Sequence, residues 1–169
     1  MSPNTPPRVL GLDYLGPRRY FVTSCTYRRL NWLVDEQQAR KIAQQISPFF
    51  EARGFAVLAY CLMPDHVHLL LEGVIEAANL AEAVRAWKQR TGFDWKRRTG
   101  AHLWQEGFHD RVLRAEDDAA AVVRYILENP VRAGLVSSVT DYQWTGSSCF
   151  GIEDLLASAG QWRPAWKAR

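Results

Sequence analysis

The chain has 169 residues, 47% of them hydrophobic, with a formal net charge of +3 and a sequence pI of about 8.9. This length and composition fit one globular domain with a hydrophobic core. Because no apolar run approaches the ~20 residues that cross a bilayer, a membrane-spanning protein is excluded. The modest positive charge permits a polyanionic partner without demanding one.

The chain is divided by composition into three parts. Residues 1–17 begin polar and proline-rich, and we expect a flexible lead-in. Residues 18–150 contain all the strong periodic patterns and are predicted to form one domain. Residues 151–169 are predicted to form a C-terminal tail.

The first elements of the domain are a strand and a helix. Arg19–Thr26 is β-branched and aromatic, which predicts a strand. Asp35 is a typical N-cap for a helix that reaches Arg53, with apolar residues at helical spacing. Pro48 is expected either to kink this helix or to begin a second short one, and Gly54 fits its end.

A β-hairpin is predicted next. Phe55–Met63 and His66–Glu72 both have strand composition, and Pro64-Asp65 between them is a turn signal. Within the first strand, alternation predicts that Phe55 and Tyr60 point to opposite faces.

The rest of the domain alternates helix and strand. We predict a helix over Ala77–Arg97, an extended segment over Leu103–Leu113, a helix over Glu116–Asn129 and loops after Val136. The order β, α, β-hairpin, α, β, α indicates an α+β class with a ferredoxin-like antiparallel sheet and helices packed on it.

Three cysteines, Cys25, Cys61 and Cys149, have no C-x-x-C spacing. Their number is odd, and the start of the chain carries no secretory hydrophobic segment. We therefore expect buried free thiols and a cytoplasmic location.

His66 and His68 carry the first chemical signal. Residues i and i+2 of a strand point to the same face, which places these two imidazoles together, about 6 to 7 Å apart at Cα. Two imidazoles so placed can bind one divalent cation and leave positions open for a third ligand and a substrate. A pair of polar residues on a half-exposed strand is the structural alternative.

Tyr125 and Asn129 carry the second signal. They are four residues apart on a predicted helix and share a face. The neighbouring valines, isoleucine and leucine already supply the buried stripe, so Tyr125 lies at its border or outside it. An amphipathic tyrosine that anchors the helix is the structural alternative.

The two motifs, Leu62–Leu70 and Tyr125–Leu135, together resemble the single-tyrosine HUH transposases. Within that group the chain looks most like the REP-associated tyrosine transposases, over roughly residues 19–150. The resemblance implies a DNA transposase that nicks and rejoins single-stranded DNA, with hairpin-forming palindromic repeats as substrate. It implies monomers or homodimers and no small-molecule organic cofactor.

The resemblance also assigns roles to individual residues. It implies that His66, His68 and Asn129 bind Mg²⁺ or Mn²⁺, and that Tyr125 is the nucleophile, which forms a 5′-phosphotyrosine bond and frees a 3′-hydroxyl. A free phenol, with a pKa of about 10, is a weak nucleophile at neutral pH, so a metal that polarises the phosphate would help it. His109 and Asp110 are weak candidates to accept its proton.

Cationic residues are grouped along the chain and predict a phosphate-binding surface, although solvated surface explains any one group. The segment from Trp162 to Arg169 is expected either to contact DNA or simply to pack. The candidate DNA-contacting residues are Arg18, Arg19, Lys88, Arg111, Arg114 and Arg132.

Two other functions compete with this reading. A ferredoxin-like module could bind RNA through aromatic residues on an open sheet, without catalysis. A metal phosphoesterase could use His66 and His68 with water as the nucleophile, which leaves Tyr125 without a role.

Overall fold

A computed structural model of the chain describes residues 14–114, 119–151 and 154. The predicted start of the last helix at Glu116 and the tail segment from Trp162 lie outside the described residues. The described part is an α+β fold, as predicted. Its strands and helices are β1 (Arg19–Cys25), α1 (Glu36–Glu51), β2 (Phe55–Met63), β3 (His66–Gly73), α2 (Leu80–Thr99), β4 (His109–Leu113), α3 (Ala119–Leu127), α4 (Asn129–Arg132) and β5 (Thr145–Gly146).

The strands form one antiparallel sheet in the order β4-β1-β3-β2-β5. The first four strands have the arrangement of a ferredoxin-like sheet, and the predicted hairpin is β2 and β3. The fifth strand was not predicted. It has only two residues, which pair with Tyr60 and Cys61, and so short a segment carries no period-2 signal.

Capping residues fix where the helices begin. The Asp35 carboxylate accepts a hydrogen bond from the backbone N–H of Gln38, so α1 begins where the sequence predicts. The helix runs through Pro48, which therefore does not begin a second one. In α2 the Asn79 side chain accepts from the N–H of Glu82, and this cap moves the start three residues past the predicted Ala77.

Three other predictions are corrected by the fold. The predicted extended segment Leu103–Leu113 forms a strand only at its end, in β4. Before β4 it has an isolated β-bridge between Trp104 and Thr26. A β-bulge between Val57 and Ala59 changes the alternation of β2, so Phe55 and Tyr60 both pack on the same side of the sheet. The predicted helix ends at Leu127, and Asn129 begins the short helix α4.

Helices cover both sides of the sheet, which differ in content. The core face packs against α1 and α2 and includes Val67, Leu69 and Leu71 of β3, all fully buried. The site face lies under α3 and includes His66, His68 and Leu70 of the same strand. An open sheet face with exposed aromatics, which the RNA-binding alternative needs, is absent from the described residues.

The cysteines are free, as predicted among the described residues, and two of them, Cys25 and Cys61, are buried. The prediction of burial is wrong for Cys149, which follows β5 at the surface and is exposed. Among the described residues, no helix combines the length and hydropathy that a bilayer crossing requires.

Candidate active site

His66 and His68 face each other at the end of β3. Their Nε2 atoms are 3.1 Å apart and their ring centroids are separated by 4.6 Å, with an interplanar angle of 76°. His68 is buried and His66 is half-buried. The strand alternation that predicted one shared face therefore brings the two Nε2 atoms together.

The outer ring nitrogens of both histidines are held by neighbours. Asp65 Oδ1 is 2.6 Å from His66 Nδ1, and Thr23 Oγ1 is 2.9 Å from His68 Nδ1. The Asp65 carboxylate can only accept a hydrogen bond, so it selects the His66 tautomer that leaves Nε2 free to bind a cation. The Thr23 hydroxyl can donate or accept, and it fixes the plane of the His68 ring.

Arg29 extends this chain of contacts on one side. Its Nε lies 3.0 Å from Asp65 Oδ2, and its Nη1 donates to Cys25 Sγ at 3.0 Å. Arg28 and Arg29 both have left-handed backbones, with φ of 55° and 57°. Two consecutive non-glycine residues in this region are strained, and strain of this kind is concentrated at functional sites.

The electrostatic setting favours a neutral His66. Burial lowers the pKa of its imidazole, against the opposing effect of the Asp65 carboxylate. An imidazole binds a cation only in its neutral form, so this environment keeps His66 competent at lower pH than free imidazole.

Tyr125 reaches the same face from above, on α3. It is half-buried, and its ring centroid is 6.0 Å from that of His68 and 5.9 Å from that of Phe21. The buried stripe of α3 consists of other residues, as the sequence predicted, and packs on Leu70 and β2. The phenol ring is thus packed beside the histidines.

Arg132 also contacts the Tyr125 ring. Its guanidinium carbon lies 4.3 Å from the ring centroid, and Nη2 donates to the backbone carbonyl of Tyr125. A second contact joins Arg132 to Glu128, with 3.4 Å between Nη1 and Oε2. The Tyr125 ring therefore contacts both a cation and an imidazole.

Asn129 follows Tyr125 by about one turn and begins α4. It is half-buried, and its Nδ2 atom is buried without a hydrogen-bond partner. An unsatisfied buried amide is costly and fits a side chain prepared for a ligand, since rotation of the amide exchanges nitrogen for oxygen. Among the described residues, no group of three His, Cys, Asp or Glu side chains could hold a metal ion, so a third protein ligand beside the two histidines would have to be of another type.

The predicted DNA-contacting residues are only partly brought together. Arg111 lies on the site face, opposite Phe21 in the β1–β4 register. Arg19 is on the same face but pairs with Glu72 at 2.8 Å. Lys88 lies on α2, where its ammonium donates to the carbonyls of Gln105 and Gly107.

Arg18 and Arg114 are exposed beside the ends of β1 and β4, and Arg132 contacts Tyr125 as described above. The two candidate proton acceptors separate by strand alternation. His109 pairs with Thr23 and lies on the site face, whereas Asp110 pairs with Val22 and lies on the core side. Only His109 therefore shares a face with the site, at two strands, or roughly 10 Å, from His68.

Sequence reasoning missed the residues that position the histidines. Asp65 precedes His66 directly, but it was read only as a turn residue. Thr23 and Arg29 lie far from the motif in sequence, and only the β1–β3 register brings Thr23 opposite His68. The signal that could have found Asp65 is its position beside a candidate ligand.

Comparison with known families and structures adds three findings. The family described as "Transposase IS200 like" matches residues 18–129. A Haemophilus influenzae protein assigned to the REP-associated tyrosine transposases is 28% identical over 102 residues, which cover 54% of this chain and 58% of that protein. The alignment thus spans a little over half of the curated relative.

One solved structure has the same fold. A REP-associated tyrosine transposase bound to a REP hairpin superposes with a TM-score of 0.63 at 20% sequence identity. The match covers 90% of this chain and 96% of that one. The ferredoxin-like sheet with helices on it is therefore the fold of that protein as well.

Proposed function

The chain belongs to the IS200-like transposase family, and from this membership we propose that it nicks and rejoins single-stranded DNA with Tyr125 as the nucleophile. The observation that carries the proposal is the arrangement of three side chains on the site face. His66 and His68 bring their Nε2 atoms to 3.1 Å, and the Tyr125 ring lies 6.0 Å from His68. A phosphoesterase that uses water leaves this tyrosine without a role.

The proposed step exchanges one phosphodiester for another. The Tyr125 Oη attacks the phosphorus of a DNA phosphodiester, the bond from phosphorus to the 3′ oxygen breaks, and a 5′-phosphotyrosine forms. The phenol loses its proton, and the departing 3′ oxygen gains one to become a hydroxyl. Because the bond type is conserved, attack by a different 3′-hydroxyl reverses the step and joins two strands without ATP.

His66, His68 and Asn129 would hold a hard divalent cation, Mg²⁺ or Mn²⁺. Their donors are two imidazole nitrogens and one amide oxygen, a weak set that leaves positions for water and phosphate oxygen. When bound, such an ion polarises the phosphate and offsets the charge that develops on it. The unsatisfied amide of Asn129 supports this ligand set.

Two arginines position the reacting groups. Arg29 holds Asp65, and Asp65 holds the His66 ring, so the imidazole is oriented before DNA binds. Arg132 holds Tyr125 through its ring and its backbone carbonyl. A nucleophile fixed in this way loses little freedom on reaching the phosphate, which lowers the barrier.

The substrate is proposed to be a DNA hairpin with an unpaired flank. The related solved protein is bound to a REP hairpin, and its fold is shared by this chain. Arg111 on the site face is a cation suitably placed to bind backbone phosphate near the histidines. Affinity is then expected to fall as salt rises, since bound phosphates release counterions.

The proposal is tested by incubation of the full chain with labelled hairpins that carry the repeats flanking its gene. Reactions contain Mg²⁺, Mn²⁺ or a chelator, and the products are separated on a denaturing gel. We expect a nicked strand and a slower protein-linked band with either metal and neither product with the chelator. A free 5′-phosphate without a protein-linked band would favour water as the nucleophile and overturn the proposal.

A further inference from the structure

A second concave surface lies away from the histidines, between α2 and the segment 102–108. This α2 groove has a volume of about 660 Å³. Exposed side chains of Arg85 and Lys96 line it, and Glu106 is the one acidic residue among the lining residues described. The excess of positive charge suits an anionic ligand.

The walls of the groove are held in place by buried contacts. Trp104 is buried against Trp87, with ring centroids 5.1 Å apart, and its Nε1 donates to Thr91 Oγ1 at 2.8 Å. Lys88 Nζ donates to the carbonyl of Gln105 at 2.7 Å and to that of Gly107. The segment is therefore fixed to α2, and the groove is formed without a ligand.

An exposed aromatic ring lies at the rim of the α2 groove. Phe93 is 61% exposed, lines the α2 groove and also lines a second depression on its other side. The Arg97 guanidinium carbon is 5.8 Å from the ring centroid. A single exposed apolar residue is common, but a flat ring beside exposed cations matches the platforms on which unpaired bases stack.

The groove is connected to the site through its wall. Trp104 bridges Thr26, and the N–H of Gln105 donates to the Cys25 carbonyl at 2.9 Å. Cys25 in turn is the partner of His66 in the β1–β3 register. The wall segment therefore pairs directly with the end of β1, the strand next to the one that carries the histidines.

We propose that the α2 groove binds unpaired nucleotides of the DNA strand, with a base on Phe93 and phosphates on Arg85 and Lys96. The site is distinct from the one that carries Tyr125, and it rests on the proposed function for its ligand class. Base stacking is tolerant of sequence, so the groove would hold the strand without selecting a base.

The test is a binding measurement by fluorescence anisotropy. The probes are a blunt DNA hairpin and the same hairpin with an oligothymidylate flank. We expect Phe93→Ala to weaken binding of the flanked hairpin by roughly 5- to 150-fold and to leave the blunt hairpin unchanged. Phe93→Trp keeps the platform and should retain the affinity, and Phe150→Ala, which removes another exposed ring, should have no effect.

Equal affinity of Phe93→Ala and the parental chain for the flanked hairpin would overturn the proposal, as would an equal loss with both probes. The nicking assay separates this result from the proposed function. If the chain nicks DNA and neither nicking nor binding depends on Phe93, only the groove proposal fails. If the chain does not nick DNA but binds the flank through Phe93, only the proposed transposase chemistry fails.

Discussion

The two sides of the sheet are built by alternate residues of the same strands, yet they hold different kinds of chemistry. On the core face of β3, Val67, Leu69 and Leu71 are fully buried and belong to the larger hydrophobic cluster. On the site face, His66 and His68 alternate with them and are held by polar partners. The comparison teaches that stability and reactivity are separated here by side-chain parity, so variants on one face should leave the other property largely intact.

The sharpest separation is expected for two tyrosines. Tyr125→Phe should reduce nicking by roughly 10³-fold or more, because water would have to replace a positioned nucleophile. Binding of DNA should persist, since the ring remains. Nicking is measured on denaturing gels and binding by anisotropy.

The matched control is Tyr142→Phe. The Tyr142 hydroxyl donates to the Leu62 carbonyl at 2.7 Å, so its loss should cost about 1 kcal/mol in the free energy of unfolding. Nicking should remain at the parental rate. If Tyr125→Phe nicked DNA at the parental rate, Tyr125 would not be the nucleophile and would only anchor its helix.

The second comparison uses neighbours on β3. His66→Ala should lower metal affinity by at least roughly 100-fold, as expected when a ligand is lost, and change stability little, because the side chain faces the site. Leu69→Ala on the core face should lower the free energy of unfolding by about 2–5 kcal/mol. The assays are metal titration of nicking and urea unfolding.

The reverse pattern would break the separation. If His66→Ala unfolded the chain and Leu69→Ala left it stable, the histidine would belong to the packing. His66 is the better choice for this test than His68, because His68 is buried against Phe21 and Tyr125 and its truncation also removes packing.

Two aspartates, each paired with an arginine, sharpen the comparison further. Asp65→Asn should weaken metal-dependent nicking by roughly 10- to 100-fold, because it disturbs the partner that orients His66. Asp35→Asn keeps the cap of α1 but loses the charge that pairs with Arg98, and should leave nicking unchanged.

The pH dependence of stability gives an independent check on Asp35. Hydrogen bonds, led by that from the Gln38 N–H, lower the pKa of its carboxyl below the usual value. Its contribution to stability is therefore present above the unfolded pKa and is lost as pH falls through the folded one. Asp35→Asn should remove this acid dependence of stability and leave nicking unchanged. That result would support the separation of stability from reactivity.

The smallest effect is expected at Asn129. Asn129→Ala should raise the Mg²⁺ concentration needed for half-maximal nicking by about 10-fold. Stability should stay the same or rise slightly, since the variant removes a buried amide nitrogen without a partner. Asn129→Gln should retain part of the affinity. If the metal titration of Asn129→Ala were unchanged, Asn129 would not be a metal ligand and would only mark one end of a helix.

The sequence predicted those site residues that lie close together along the chain. His66 and His68 are two residues apart on a strand, so one periodicity relates them. The helix that was predicted to carry both Tyr125 and Asn129 ends at Leu127, so helical periodicity alone does not relate those two residues. The ferredoxin-like order also followed from local patterns, because each strand and helix had its own signal. The bulge in β2 and the two-residue strand β5 depend on pairing and had none.

The other contacts required the folded chain. Arg29 reaches Asp65 only because its backbone takes a left-handed conformation after β1. Lys88 was predicted to contact DNA on the basis of its charge, and this contact stays a prediction; in the fold its ammonium donates to two carbonyls in the wall of the α2 groove. Burial there lowers its pKa to about 8. Charge alone does not distinguish a cation that binds a ligand from one that holds a loop.

The central claim is that Tyr125 is the residue that becomes linked to DNA. The parental chain is incubated with the flanked hairpin and Mg²⁺, trapped by denaturation, digested with nuclease and protease, and analysed by mass spectrometry. The account predicts a nucleotide mass on the peptide that contains Tyr125 and on no other peptide. An adduct on Tyr60, Tyr142 or another tyrosine, or nicked DNA without any adduct, would contradict it.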